Sequence, residues 1–136
     1  MKLYLLICLV TFSVQAQEFL TTPQKEQALF LLDNICGDTW CEGDYNFLFD
    51  KIKCDKKSKS CMVDFTMIET NYPNNDDTEV NFCYSTSCKI EGINSYRNIA
   101  EDKNSLTDYF YEKFGDCILE KEAVFSQNRG QCSEEY

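Results

Sequence analysis

The cysteine content is the feature that most constrains what this chain can fold into. The sequence has 136 residues, with nine cysteines and no histidine. Cys8 lies in an apolar N-terminal run, and the remaining cysteines are spread along the rest of the chain: Cys36, Cys41, Cys54, Cys61, Cys83, Cys88, Cys117 and Cys132. Because that number is even, we expect a domain from an oxidising compartment with all of its thiols paired.

The N-terminal run has the organisation of a secretory signal peptide. A basic start at Lys2 precedes the apolar residues 3–14, and Val14 and Ala16 occupy the positions that a signal peptidase reads. We expect cleavage after Ala16, which removes Cys8 and leaves a single domain of residues 17–136. Neither this run nor any later one is long enough to span a bilayer. The sequence therefore predicts a secreted or periplasmic protein without a transmembrane segment.

Hydrophobic periodicity predicts an α+β domain. Apolar residues at helical spacing predict an N-terminal helix from Thr22 to Cys36, with Leu29 and Phe30 widening its buried side. Residues 94–100 and a longer segment that starts at Ser105 predict the C-terminal helices. Since the strand-like segments all lie between these helices, we expect an antiparallel meander of three to four strands rather than a parallel sheet.

Alternating apolar residues locate the strands of this meander. The alternation changes parity near Asp50, which indicates a β-bulge. Cys88–Ile90 is either a fourth strand or the far side of a tight turn, and the polar tail from Gln127 is expected to fray except where Cys132 holds it. The three clearer strands are predicted at 45–54, 61–67 and 80–84.

The disulfide pairing is only partly determined by the sequence. Cys54 and Cys61 flank a six-residue turn and lie opposite each other in the predicted hairpin, so we expect them to form a bridge. Cys83 and Cys88 can bridge only if a turn separates them, which we favour because residues 85–87 are poor strand formers. The most local solution adds Cys36–Cys41 and Cys117–Cys132, and a bridge between Cys36 and Cys117 is an alternative.

The composition excludes several chemistries. Without histidine there is no Ser-His-Asp triad, no Cys-His pair and no histidine zinc site. Paired cysteines leave no thiol nucleophile, and the five glycines are scattered rather than gathered in a phosphate-binding loop. The 23 acidic residues outnumber the 13 basic ones, which argues against nucleic-acid binding. We therefore expect no cofactor.

Residues 36–45 form the densest cluster of chemically active side chains. The segment holds the only tryptophan, Trp40, and three acids: Asp38, Glu42 and Asp44. Their oxygens could bind a cation, or two of them could act as a carboxylate pair in glycoside hydrolysis. The interpretation that we favour is a disulfide-stapled turn in which Trp40 covers the core and can also contact a ligand.

The wording of this segment, CGDTWCEGDY, is similar to a motif in small secreted proteobacterial proteins that contain cysteines. The resemblance covers Leu31 to Cys61, and it continues at Phe110-Tyr111 and Cys117-Ile118. It implies no activity, ligand or catalytic residue. It does favour a location in the bacterial envelope.

A second cluster is basic. Half of the ten lysines that follow Ala16 lie within nine residues of the predicted hairpin: Lys51, Lys53, Lys56, Lys57 and Lys59. With Asp55, the segment carries a net charge of +4, and the rest of the mature chain carries −15. The lysines could bind a phosphate, an anionic glycan or an acidic protein. Alternatively, they keep an exposed hairpin soluble and discourage edge aggregation, which is the interpretation that we favour.

Two functional hypotheses follow from these features. The first is a non-enzymatic binding domain whose acidic body attracts a basic secreted or envelope protein, with Tyr111 as the exposed aromatic anchor. The second is a small carboxylate-dependent hydrolase that uses Asp38, Glu42 or Asp44. We favour the first, because no nucleophile and base pair is present.

Overall fold

The computed structural model describes residues 18–38, 45–72, 79–100 and 105–133. It confirms the predicted α+β class, with helices on either side of a meander in the chain order. The predicted signal peptide and residues 39–44 lie outside the described residues. The elements are α1 (Thr22–Asp38), β1 (Tyr45–Asp55), β2 (Ser60–Asn71), β3 (Val80–Glu91), α2 (Arg97–Ala100), α3 (Ser105–Ala123), α4 (Phe125–Asn128) and β4 (Gly130–Gln131).

The four strands form one antiparallel sheet in the order β1-β2-β3-β4. The β1–β2 register shifts between Phe49 and Lys51, so the bulge predicted near Asp50 is present. Because the bulge moves the alternation by one residue, Phe47 and Phe49 lie on the same face of the sheet as Ile52 and Cys54.

The prediction of a turn between Cys83 and Cys88 is wrong. Residues 80–91 form one continuous strand paired with β2, and the hydroxyl groups of Ser85 and Thr66 lie 2.9 Å apart on its polar face. This bond lets a serine-rich stretch stay in the sheet. The two cysteines are five residues apart and point to opposite faces, so they cannot bridge each other.

The fourth strand comes from the C-terminal tail, which was expected to fray. Gly130 and Gln131 pair with β3, and the backbone N–H of Cys132 donates to the carbonyl oxygen of Asn81 at 3.0 Å. Arg129 forms an ion pair with Glu69, and its guanidinium carbon lies 4.4 Å from the centre of the Phe82 ring. These contacts hold a tail that has no apolar residues of its own to bury.

Three disulfides lie within the described residues. Cys54–Cys61 closes the β1–β2 hairpin, as its spacing predicts. The other two bridges are long-range, and they show that the pairings Cys83–Cys88, Cys117–Cys132 and Cys36–Cys117 are wrong: Cys83 is bonded to Cys132 and Cys88 to Cys117. Cys36 is also disulfide-bonded, to a residue outside the described part of the chain, so Cys36–Cys41 stays a prediction.

The hydrophobic core lies between one face of the sheet and the helices. At its centre Phe114 of α3 packs against Phe49 and Phe65 of the sheet, with ring centroids 5.8 and 6.0 Å apart. Phe110 stacks on Phe114 at 6.2 Å, and Phe125 of α4 closes one end against Tyr45 at 4.7 Å. We call the opposite face of the sheet the open face, because no described helix packs on it. In the described part of the chain, no helix is long and apolar enough to span a membrane.

Candidate functional site

The five lysines of the predicted basic cluster lie together on the β1–β2 hairpin, and all five are exposed. We call them the lysine hairpin. None of them forms an ion pair with another described residue. The cluster is therefore a region of uncompensated positive charge on a chain whose net charge is −10.

The turn of this hairpin is held by its one acid. The carboxylate of Asp55 accepts hydrogen bonds from the backbone N–H groups of Lys57, at 3.0 Å, and Ser58, at 3.2 Å. These bonds lower the pKa of Asp55 below its usual value. Lys59 adopts a φ of 50°, and its carbonyl oxygen accepts a hydrogen bond from the N–H of Ile93 at 2.8 Å. The backbone is thus fixed while the lysine side chains point into solvent.

A shallow groove crosses the open face next to the lysine hairpin. Lys53, Met62 and Lys89 form one cross-strand row there, and Met62 is 39% exposed. Two hollows of about 180 and 530 Å³ meet at Met62 and Lys89, and the larger one extends to α3. Lys89 is paired with Glu91 at 2.9 Å, which leaves Lys53 as the cation without a described acidic partner.

The outer side of α3 carries the strongest concentration of exposed acids in the described part of the chain. Four of them follow one another at four-residue intervals on the side that faces away from the core: Asp108, Glu112, Asp116 and Glu120. We call this surface the acidic face of α3. Lys113 contacts Asp116 at 3.1 Å and Glu112 at 3.4 Å, and these two bonds raise the pKa of the lysine.

The apolar anchor on α3 is Leu119 and not Tyr111, so the prediction of an exposed Tyr111 is wrong. Tyr111 packs against the core, and its hydroxyl donates a hydrogen bond to the carbonyl oxygen of Ile99 at 2.6 Å. Leu119 is 58% exposed among the acids, and Tyr109 is 38% exposed. The helical spacing contains this signal, because Leu119 lies about 100° around the helix from the buried Ile118.

A groove also separates α1 from β1. Phe30, which was expected to be buried, is 60% exposed, and Leu48 is 40% exposed. The wheel of α1 explains the difference, since Ala28 and Leu32 occupy its core side. We call this hollow the edge groove; it has a volume of about 260 Å³ and is lined by Leu29, Phe30, Asp33, Phe47, Leu48 and Phe49.

The acids of the 36–45 segment cannot be placed. Trp40, Glu42 and Asp44, like the side chain of Asp38, lie outside the described residues. The proposed cation site and the carboxylate hydrolase therefore stay predictions. Among the described residues, no group of three or more cysteine, aspartate or glutamate side chains is arranged to hold a metal ion.

Comparison with protein-family models, with curated proteins and with solved structures gives no match for this chain. The resemblance to small secreted proteobacterial proteins stays a prediction, and the candidate sites rest on the geometry of this molecule alone.

Proposed function

We propose that the protein is a secreted or periplasmic, non-enzymatic domain that binds a basic protein through the acidic face of α3. The observation that carries this proposal is the set of four exposed carboxylates on one helix side with the exposed Leu119 among them. An apolar anchor that is surrounded by like charges fits a partner with a cationic surface and an apolar recess.

The acidic face lowers the stability of its own helix, which supports a role in binding. Asp108, Glu112, Asp116 and Glu120 form three like-charged i, i+4 pairs, and each such pair destabilises a helix by about 0.2–0.5 kcal/mol. Lys113 offsets the repulsion only in the middle of the row. A helix face designed only for solubility would alternate its charges, because opposite charges at this spacing stabilise the helix.

The location is supported by the signal-like N-terminus and by the disulfides. Three bridges among the described residues fit an oxidising compartment. If the protein is exported as proposed, the mature form starts at Gln17. N-terminal sequencing of protein from the periplasm and from the medium tests this: a chain that keeps Met1 in the cell would contradict the proposed location.

The partner can be identified by affinity capture from an envelope extract, followed by mass spectrometry. We expect the captured proteins to be basic and their yield to fall as salt is raised, because exposed charges are screened within about 10 Å at 0.1 M salt. The double variant Asp108→Asn, Glu120→Gln should bind the captured partner several-fold more weakly, mainly through a slower association rate.

The matched control is Glu26→Gln, Glu79→Gln, which removes the same charge from exposed positions outside α3. Its affinity should stay close to that of the unchanged protein. Equal weakening by both variants would indicate an effect of net charge only. Binding that is insensitive to salt and to both variants would overturn the proposed acidic interface.

A further inference from the structure

The outer edge of β1 is a strand edge that is mostly unpaired. β1 pairs with β2 on one side, and on the other side only Glu18 and Phe19 contact its backbone among the described residues. The N–H of Phe19 donates to the carbonyl oxygen of Cys54 at 3.3 Å, and the N–H of Cys54 donates to the Glu18 carboxylate at 2.9 Å. The edge thus already binds a short extended segment that carries an acid.

The rest of this edge offers the same kind of contact without a described partner. Backbone groups along a strand alternate in direction, so the outward N–H and C=O of Cys54 place those of Ile52 outward too. The Glu18 segment ends at one end of β1, and the strand continues for nine residues from Lys53 back to Tyr45. An unpaired edge of this length is a template for the addition of another strand.

The two sides of the edge differ in chemistry. On the open-face side Lys51 and Lys53 project outward, opposite Asp64 and Met62 of β2, and both are exposed. On the core side the edge borders the edge groove, where α1 forms the wall and Phe30 is 60% exposed. A strand added here would place alternate side chains beside the lysines and beside the apolar groove.

We propose that the β1 edge binds an extended segment of a partner protein in which acidic and apolar residues alternate. The acids would lie beside Lys51 and Lys53, and the apolar side chains would enter the edge groove. The backbone of the segment would continue the sheet. This surface is separate from the acidic face of α3, so either proposal can hold without the other.

The charges also determine which strand cannot bind. Antiparallel pairing of two copies through their β1 edges would bring the lysines of each copy beside those of the other, and like charges in facing strand positions are destabilising. A second copy of this chain is therefore not the occupant. An acidic segment is the complementary one.

The probe is a synthetic nine-residue peptide of alternating glutamate and valine with blocked ends and a fluorescent label. We expect its anisotropy to rise on titration with the protein. The variant Lys51→Glu, Lys53→Glu should bind it about tenfold more weakly, since two attractive cross-strand pairs become repulsive. The variant Lys56→Glu, Lys57→Glu changes the charge equally at the turn, away from the edge, and should lose less than about threefold.

Two further peptides separate strand addition from simple charge attraction. A peptide of the same composition with its glutamates grouped at one end should bind weakly, because its apolar residues no longer alternate. N-methylation of every second amide, tried in both parities, should abolish binding in the parity whose N–H groups face β1. Retention of binding by both methylated forms would overturn strand addition.

The apolar half of the proposal has its own test. Phe30→Ser should weaken binding of the peptide several-fold while leaving the melting temperature nearly unchanged, because the ring is mostly exposed. Equal weakening by the two lysine variants, or equally tight binding of a sulfated oligosaccharide of the same charge, would show a general polyanion surface and would overturn the proposal.

Discussion

Phe114 and Leu119 are five residues apart on the same helix and have opposite roles. Phe114 is fully buried among the rings of Phe49, Phe65 and Phe110, whereas Leu119 is 58% exposed. Hydrophobicity is similar at the two positions, so the direction in which each side chain leaves the helix determines its role. The same rule applies to Tyr111, which is turned toward α2 and forms a hydrogen bond there instead of meeting a partner.

The pair gives a direct prediction for single residues. Phe114→Ala should lower the free energy of unfolding by about 3–5 kcal/mol, because it leaves a cavity in the aromatic core. Leu119→Ala should change it by less than about 0.5 kcal/mol, since its side chain is mostly in water in both states. Chemical denaturation of both variants measures the difference. A large loss of stability in Leu119→Ala would mean that this residue is structural and would remove it as the anchor.

At the scale of elements, α3 combines a helix dipole with a row of like charges. Asp108 lies in the first turn, where a negative charge is favourable, and Glu120 lies near the C-terminal end, where it is not. Both carboxylates repel the neighbour one turn away. Position along the element therefore distinguishes two acids that look alike in the sequence.

Neutralising each acid should separate these two terms. Glu120→Gln removes a repulsion and an unfavourable dipole interaction, and should stabilise the protein by about 0.5 kcal/mol. Asp108→Asn loses the favourable dipole interaction as it removes a repulsion, so its net effect should be near zero. Thermal melts at low salt measure both changes, which should shrink in high salt. Equal stabilisation by the two variants would argue against a dipole contribution.

The hairpin turn gives a prediction with a defined pH dependence. Hydrogen bonds from Lys57 and Ser58 hold the pKa of Asp55 below its ordinary value of 3.8. The folded state thus favours the ionised carboxylate, and the resulting stability is present at neutral pH and is lost as the pH falls through the lowered pKa. Asp55→Ala should lower the melting temperature at pH 7, and the difference from the unchanged protein should shrink in strong acid. A difference that grows on acidification would contradict the role assigned to Asp55.

At the scale of the whole molecule, two long-range disulfides join elements that contact weakly by other means. Cys88–Cys117 ties α3 to the sheet, and Cys83–Cys132 ties the C-terminal tail to β3. They close loops with sequence separations of 29 and 49 residues, whereas Cys54–Cys61 spans only 7. The long loops restrict the unfolded chain most, and so contribute the most stability in the chain-entropy model.

Replacing each pair by alanine should therefore give a ranked loss of stability. We expect about 2.5 kcal/mol for Cys54 and Cys61, about 3.6 for Cys88 and Cys117, and about 4 for Cys83 and Cys132. Removal of the last pair should also speed amide exchange in β4 and in the facing part of β3. Denaturant unfolding and hydrogen exchange measure these effects. The reverse order of stability losses would show that strain or residual structure outweighs loop entropy.

The sequence by itself determined the α+β class, the three long strands, the bulge before Lys51, the hairpin bridge and the exposed lysines. Each of these depends on residues that are close in the chain, where helical or alternating spacing indicates the element and its inward face. The same spacing also contained the exposure of Leu119, once the buried side of α3 was known.

Only the tertiary structure decided the long-range pairings and the surfaces. Cys83 has Cys132 as its partner because the tail folds back onto β3, and no local pattern in a polar tail indicates that return. The edge groove likewise exists because α1 crosses beside β1 and leaves Phe30 in solvent. Such contacts depend on how whole elements pack, which is a sum over many distant residues, and a local pattern reports only its own neighbours.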